Sequence, residues 1–239
     1  MSVRRTGTGK ELVWIHGLGE SSTSFEPIVA QLPQLSHTLI DLPGYGRSAW
    51  PEPTSLEQLA DHLAAWLQQR PLTTVIGHSM GGVLAVMLAE RGAASAIVDI
   101  DGNVTRGDCT FSAQTLPYTE DEFTDAGFAA MRSQVYAAGV DEPALRTYHA
   151  AMCFASPRMF YRQAHDLVTL SLTESMAPRL AALTIPGLFV AGVPRGICEA
   201  SRALLDRHRV RWIGIEPAGH WVYLDQVALF AAALEHFLA

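Results

Sequence analysis

Gly77-His78-Ser79-Met80-Gly81 sets a serine between two glycines, where an apolar, β-branched run (73–76) meets a helix-forming run that begins at Met80. A serine at such a junction sits in a strained strand-to-helix turn with its hydroxyl held clear of the backbone. The glycines are needed because the positions two before and two after the serine nearly touch, and a Cβ at either would clash. The chemistry this geometry serves is nucleophilic attack. A serine hydroxyl is a poor nucleophile at neutral pH and needs a positioned base, and histidine titrates close to that pH. Of nine histidines, His220 is the expected base, because it follows a predicted strand through the flexible turn Pro217-Ala218-Gly219. His78 and His16 are expected to hold loops by hydrogen bonds. His37, His62, His149, His165, His208 and His236 are read as ordinary core or surface side chains.

The elements that must position Ser79 and His220 alternate between strand and helix. Strand signals lie at 2–6, 11–15, 37–40, 73–76, 96–100, 187–191 and 210–215, and helix signals at 21–32, 199–206 and 224–238. A further helix opens at Thr54-Ser55-Leu56-Glu57, read as a capping box, with Leu56, Leu59, Leu63, Trp66 and Leu67 on one face. Alternating βα units imply a mostly parallel central sheet flanked by helices, with ligands bound beyond the carboxyl ends of its strands. His16-Gly17, Asp41, Ser79, Asp101 and His220 each fall at such an end. Residues 104–183 break the rhythm: they show only helical segments rich in aromatics and methionine. The expected organisation is a core of 1–103 and 184–239 with a helical lid at 104–183. The apolar lid points to a substrate with a hydrophobic acyl or ring portion.

Composition narrows the partners. A chain of 239 residues, 49% of them hydrophobic, can bury a single sizeable core. A formal net charge of −7 without any basic run argues against nucleic acid and anionic membranes. Cys109, Cys153 and Cys198 are odd in number and widely spaced, which suits neither a disulfide frame nor a zinc site, so no metal is expected. No apolar run is long enough to span a membrane and the first residues lack a signal-peptide core, so a cytoplasmic monomer or homodimer is expected.

The stretches HGLGES (16–21), DLPGYGRS (41–48), GHSMGG (77–82) and PAGHW (217–221), in this order and spacing, resemble the α/β-hydrolase superfamily. The resemblance implies an α/β-hydrolase fold and a cofactor-free serine hydrolase of carboxylesterase type. It implies an oxyanion hole formed by the backbone amides of Leu18 and Met80, and a pocket to which Glu20, Phe25, Tyr45 and Trp221 contribute. Serine at the elbow speaks against the dehalogenases and epoxide hydrolases of the superfamily, which use aspartate there. Thioesterases, lactonases, carbon-carbon hydrolases, esterases of carrier-bound acyl groups, and non-hydrolytic lyases, cyclases or receptors share the scaffold. The third catalytic group departs from the common pattern. Most relatives place an aspartate after the strand at 187–191, but here that turn reads Gly192-Val193-Pro194-Arg195-Gly196. Asp101, at the end of the preceding strand, is favoured as the acid, with Glu199 as the alternative. Against Asp101 stands a purely structural role capping its own loop.

Overall fold

The computed structural model describes residues 1–239. Its seven strands are β1 (Ser2–Gly7), β2 (Glu11–Ile15), β3 (Ser36–Asp41), β4 (Thr74–His78), β5 (Ala96–Ile100), β6 (Gly187–Arg195) and β7 (Trp212–Gly219). They form one sheet in the order β1-β3-β2-β4-β5-β6-β7. Only β1 runs antiparallel, against β3. The central strands are apolar and buried along nearly their whole length, as strands covered on both faces must be. β2 pairs with β3 on one side and β4 on the other, so the strand order reverses between β2 and β4. The crevice beyond their carboxyl ends is the topological switch point, and the loops that leave these two strands carry Gly17 and Ser79.

The helices are α1 (Glu26–Gln31), α2 (Leu56–Leu67), α3 (Met80–Glu90), α4 (Glu120–Glu122), α5 (Phe128–Ala138), α6 (Pro143–Met152), α7 (Pro157–Leu172), α8 (Met176–Ala182), α9 (Glu199–Arg207), α10 (Val222–Asp225) and α11 (Val227–Leu238). α3 is buried from Met80 to Leu88, a helix enclosed on all sides directly behind Ser79. Two expected helices, 21–32 and 224–238, are adjusted, and a π turn interrupts the helical segment. The first begins as a 3₁₀ turn (Ser22–Phe25) and becomes α-helical only near Pro27, whose ring suits a first helical turn. A π turn at Phe123–Gly127 separates α4 from α5, and both Phe123 and Phe128 face inward, ring centroids 5.7 Å apart. The last helix breaks at Gln226 (φ −135°, ψ 58°). The capping box of α2 lies one residue later than expected: Ser55 Oγ accepts from the Gln58 amide at 3.2 Å, and Gln58 Oε1 accepts from the Ser55 amide at 2.9 Å.

Between β5 and β6 the chain is wholly helical. α7 is tied to the sheet domain at several points. The Tyr45 hydroxyl donates to Gln163 Oε1 (2.7 Å), the Leu56 amide to Asp166 Oδ2 (2.9 Å), and the Ser156 amide to the Gly44 carbonyl (2.8 Å). α8 packs on α3, with Arg179 forking onto Glu90 at 2.8 and 2.6 Å. α8 therefore lies in the helix layer beside α3. No helix is long and apolar enough to cross a membrane.

The position of the α2 cap is testable. Ser55→Ala should cost about 1 kcal/mol, whereas Thr54→Ala should stay within about 0.5 kcal/mol. Urea unfolding monitored by far-ultraviolet circular dichroism separates the two.

Candidate active site

Ser79 has φ 55° and ψ −119°, a conformation that non-glycine residues adopt only where the surroundings impose it. The surroundings here are specific. The Ser79 amide donates to the Ile100 carbonyl at 2.8 Å, and the Ser79 carbonyl accepts from the Gly82 amide at 2.8 Å, so the turn is pinned between β5 and α3. A Cβ at Gly77 would land on the Gly81 carbonyl, and one at Gly81 on the Ile15 carbonyl. The Met80 amide opens α3 without a partner in the chain, and the Leu18 amide is likewise unbonded. The loop carrying Leu18 lies against the serine, since a Cβ at Gly17 would be 3.1 Å from Ser79 Cβ.

Ser79 and His220 line one small cavity, together with Gly17, Leu18, Phe111, Tyr148, Leu167 and Trp221. His220 Nδ1 faces Asp101 Oδ2 at 3.2 Å. Asp101 is fully buried at the end of β5, with φ 50°. Its Oδ1 accepts from the amides of Gly192 (3.0 Å) and Ile197 (3.3 Å). The stretch read as a turn is the end of β6, which runs on to Arg195, and Gly192 within it and Ile197 just beyond it contribute the amides that hold the Asp101 carboxylate. Burial raises the Asp101 carboxyl, against the hydrogen bond and charge of His220, which lower it. Glu199 is exposed in the first turn of α9 and makes neither a hydrogen bond nor an ion pair with His220. Loop capping falls instead to Asp99, whose Oδ1 accepts from the Gly102 amide at 3.0 Å. Burial pushes Asp99 up to about 8 against the pull of that amide, and the neighbouring Asp101 charge pushes the same way, so it is largely protonated at neutral pH.

The second carboxylate in the crevice is Glu20, also fully buried. Its Oε2 accepts from the Gly17 amide (2.8 Å) and from His78 Nδ1 (3.0 Å), and its Oε1 accepts from the Trp221 indole N–H. His78 Nε2 donates to the His220 carbonyl at 2.9 Å. Both ring nitrogens of His78 face acceptors, so both carry protons and the ring is an imidazolium. Burial alone would raise Glu20, but the His78 charge and the three N–H donors hold it down to about 2. Burial lowers His78, and Glu20 more than reverses that, leaving it raised. One ion pair thereby joins the loop after β2, the residue before the nucleophile and the loop carrying His220. His16 holds its loop as a neutral ring: Nδ1 donates to the Gly17 carbonyl (2.8 Å), and Nε2 accepts from the Leu42 amide (3.0 Å). Asp41 accepts from the amides of Ser22 (2.7 Å) and Arg47 (3.0 Å).

Of the four residues expected at the pocket, Trp221 and Glu20 line the cavity, and Glu20 does so with both oxygens already engaged. Phe25 and Tyr45 do not. Phe25 is sealed between Trp14 and Tyr223, at 5.1 and 5.0 Å between ring centroids, and Tyr45 is buried against Gln163 and the His16 ring. The wall is supplied instead by Phe111, Tyr148 and Leu167 from the helical segment. Nothing in the sequence separates these from the aromatic and apolar residues that merely pack that segment.

A profile of the alpha/beta hydrolase family matches residues 12–233. The chain belongs to the α/β-hydrolase family. It is 27% identical over 260 residues to a pimeloyl-[acyl-carrier protein] methyl ester esterase of Xylella fastidiosa, covering 100% of this chain and 99% of that one. The protein of the same name in Edwardsiella ictaluri is 28% identical over 251 residues, covering 97% and 94%. Among solved structures, the enol-lactonase of Burkholderia xenovorans superposes with TM-score 0.80 at 18% identity, over 99% of this chain and 95% of that one. An esterase of Exiguobacterium antarcticum superposes with TM-score 0.78 at 21% identity, over 99% and 95%.

Two stability measurements test the buried carboxylates of this hydrolase. Glu20→Gln leaves His78 with an unpaired buried charge and should cost about 3–5 kcal/mol at pH 7. Because Glu20 is depressed in the fold, its contribution exists above the ordinary glutamate range, and the gap to wild type should narrow as pH falls from about 4.5 towards about 2. Asp99 is raised, so between about 4 and about 8 the folded state holds a proton that the unfolded chain has released, and stability falls as pH rises. Asp99→Asn should remove that slope and gain on wild type across the window, as read from urea midpoints at graded pH.

Proposed function

We propose that the protein is a serine carboxylesterase that cleaves a small or medium, partly hydrophobic ester through an acyl-enzyme on Ser79, without a cofactor. The observation that carries this reading is a positive-φ serine sharing a cavity with a histidine bonded to a buried carboxylate. Asp101 Oδ2 fixes the His220 tautomer with the proton on Nδ1, leaving Nε2 free to accept a proton from Ser79. As Oγ bonds to the substrate carbonyl carbon, charge moves onto the carbonyl oxygen. The unbonded amides of Leu18 and Met80 are the donors for it. His220 then delivers its proton to the departing alcohol oxygen. Water, deprotonated by the same ring, releases the acid. Asp101 also stabilises the imidazolium formed in each half-reaction, and α4–α7 serve as a lid that excludes water.

The names of the relatives support a second form of the same reading, in which the ester is borne by an acyl-carrier protein.

A fluorophosphonate probe should label the protein stoichiometrically, and Ser79→Ala should abolish labelling. Asp101→Asn should lower kcat by about 10⁴-fold, while Glu199→Gln leaves it unchanged. A folded protein that takes up no probe would instead be a receptor or lyase on a hydrolase scaffold, and a large loss with Glu199→Gln alone would move the acid to that residue.

A further inference from the structure

Two cavities meet at His220, and they are unequal. The one containing Ser79 has a volume of about 20 Å³, room for one or two water molecules. The other has a volume of about 310 Å³, within the range of small-molecule sites. They share Asp108, Phe111, His220 and Trp221, but Ser79, Gly17 and Leu18 line only the small one. The division has a chemical meaning, given the serine-hydrolase reading on which it rests. When the tetrahedral intermediate collapses, the bond from carbonyl carbon to alcohol oxygen breaks, and the proton taken from Ser79 Oγ passes from His220 to that oxygen. The departing oxygen must therefore lie within hydrogen-bond reach of His220, on the side away from the amides of Leu18 and Met80. That side opens into the large cavity. The acyl carbon chain stays with Ser79, enclosed by Tyr148 and Leu167.

We propose that the preferred substrate is an ester of a short acid, acetate or propionate in size, with a bulky alcohol. This is the opposite polarity to a methyl ester of a long acyl group, the kind of substrate that the relatives' name describes. The large cavity also selects by charge. Phe111 and Trp221 give it apolar faces, while its charged lining is Asp108, Asp141, Glu142 and Asp225 against one cation, Arg195, which Glu142 already engages at 3.1 Å. Carboxylates are in excess, so the alcohol is uncharged or cationic.

The test measures kcat/KM for three series. With benzyl alcohol constant, acetate should exceed hexanoate by about 100-fold. Benzyl acetate should exceed both methyl octanoate and dimethyl pimelate by a similar factor. Benzyl acetate should exceed its anionic analogue 4-(acetoxymethyl)benzoate by about 10-fold. Leu167→Ala, which enlarges the acyl side, should raise the hexanoate-to-acetate ratio, and the wild-type series decides the matter if that variant does not fold. A protein labelled at Ser79 by fluorophosphonate that prefers methyl octanoate or dimethyl pimelate overturns the polarity while the hydrolase reading survives. A protein that neither takes up the probe nor cleaves any of these esters overturns both.

Discussion

The crevice at the switch point is held by one carboxylate. Glu20 has no contact with bulk water, yet it stays charged because three N–H donors converge on it, the Gly17 amide, His78 Nδ1 and the Trp221 indole, while the His220 carbonyl accepts from His78 Nε2. Removing an ion pair from water costs several kcal/mol per charge, and only near-complete hydrogen bonding offsets that. The pair is therefore weak as a source of stability and strong as a geometric constraint. It fixes at once the loop that carries the Leu18 amide, the residue before Ser79 and the backbone of His220. These three span about 200 residues of the chain, from Leu18 through His78 to His220, and no local propensity could hold them in register.

The roles of Asp99 and Asp101 follow from a similar division of labour. Two buried carboxylates stand at the carboxyl end of β5, Asp99 within the strand and Asp101 one residue beyond it at φ 50°. Like charges this close cannot both ionise cheaply in a dry interior. Asp99, two residues before Asp101, takes the proton and caps Gly102, whereas Asp101 reaches His220 and the amides of Gly192 and Ile197. With those two amides aimed at Asp101, the end of β6 needs no carboxylate of its own. Arg195 at that end is free to engage Glu142 at the mouth of the large cavity.

Most of the core was legible because it obeys local rules. Apolar runs of strand length bounded by turn residues located the strands, and the glycine-flanked serine located the strained turn at Ser79. His220 and Asp101 were readable because strand ends on one edge of a parallel sheet converge whatever their distance in sequence. What the sequence withheld depends on contacts that periodicity does not encode. The π turn before α5 is set by the inward packing of Phe123 and Phe128, and the break at Gln226 by a single backbone conformation. Phe25 and Tyr45 were expected at the pocket from the family resemblance, but neighbouring rings and Gln163 claim them. The partnership of Glu20 with His78 was present in the residue types, but reading it requires knowing that two loops 58 positions apart touch.

That partnership also bears on how the base can work. The His78 and His220 rings lie 4.6 Å apart between centroids. An unpaired imidazolium at that distance would oppose protonation of His220 by roughly 3–4 kcal/mol at an effective dielectric constant of about 20. In the proposed mechanism His220 becomes an imidazolium as it takes the Ser79 proton, so the same energy would be added to that barrier. Glu20 cancels most of this field at its source, because its carboxylate oxygen is 3.0 Å from His78 Nδ1. Asp101 is then left as the dominant charge seen by His220. A cationic histidine can therefore sit beside the nucleophile, bonded to the carbonyl of the base, without disabling that base.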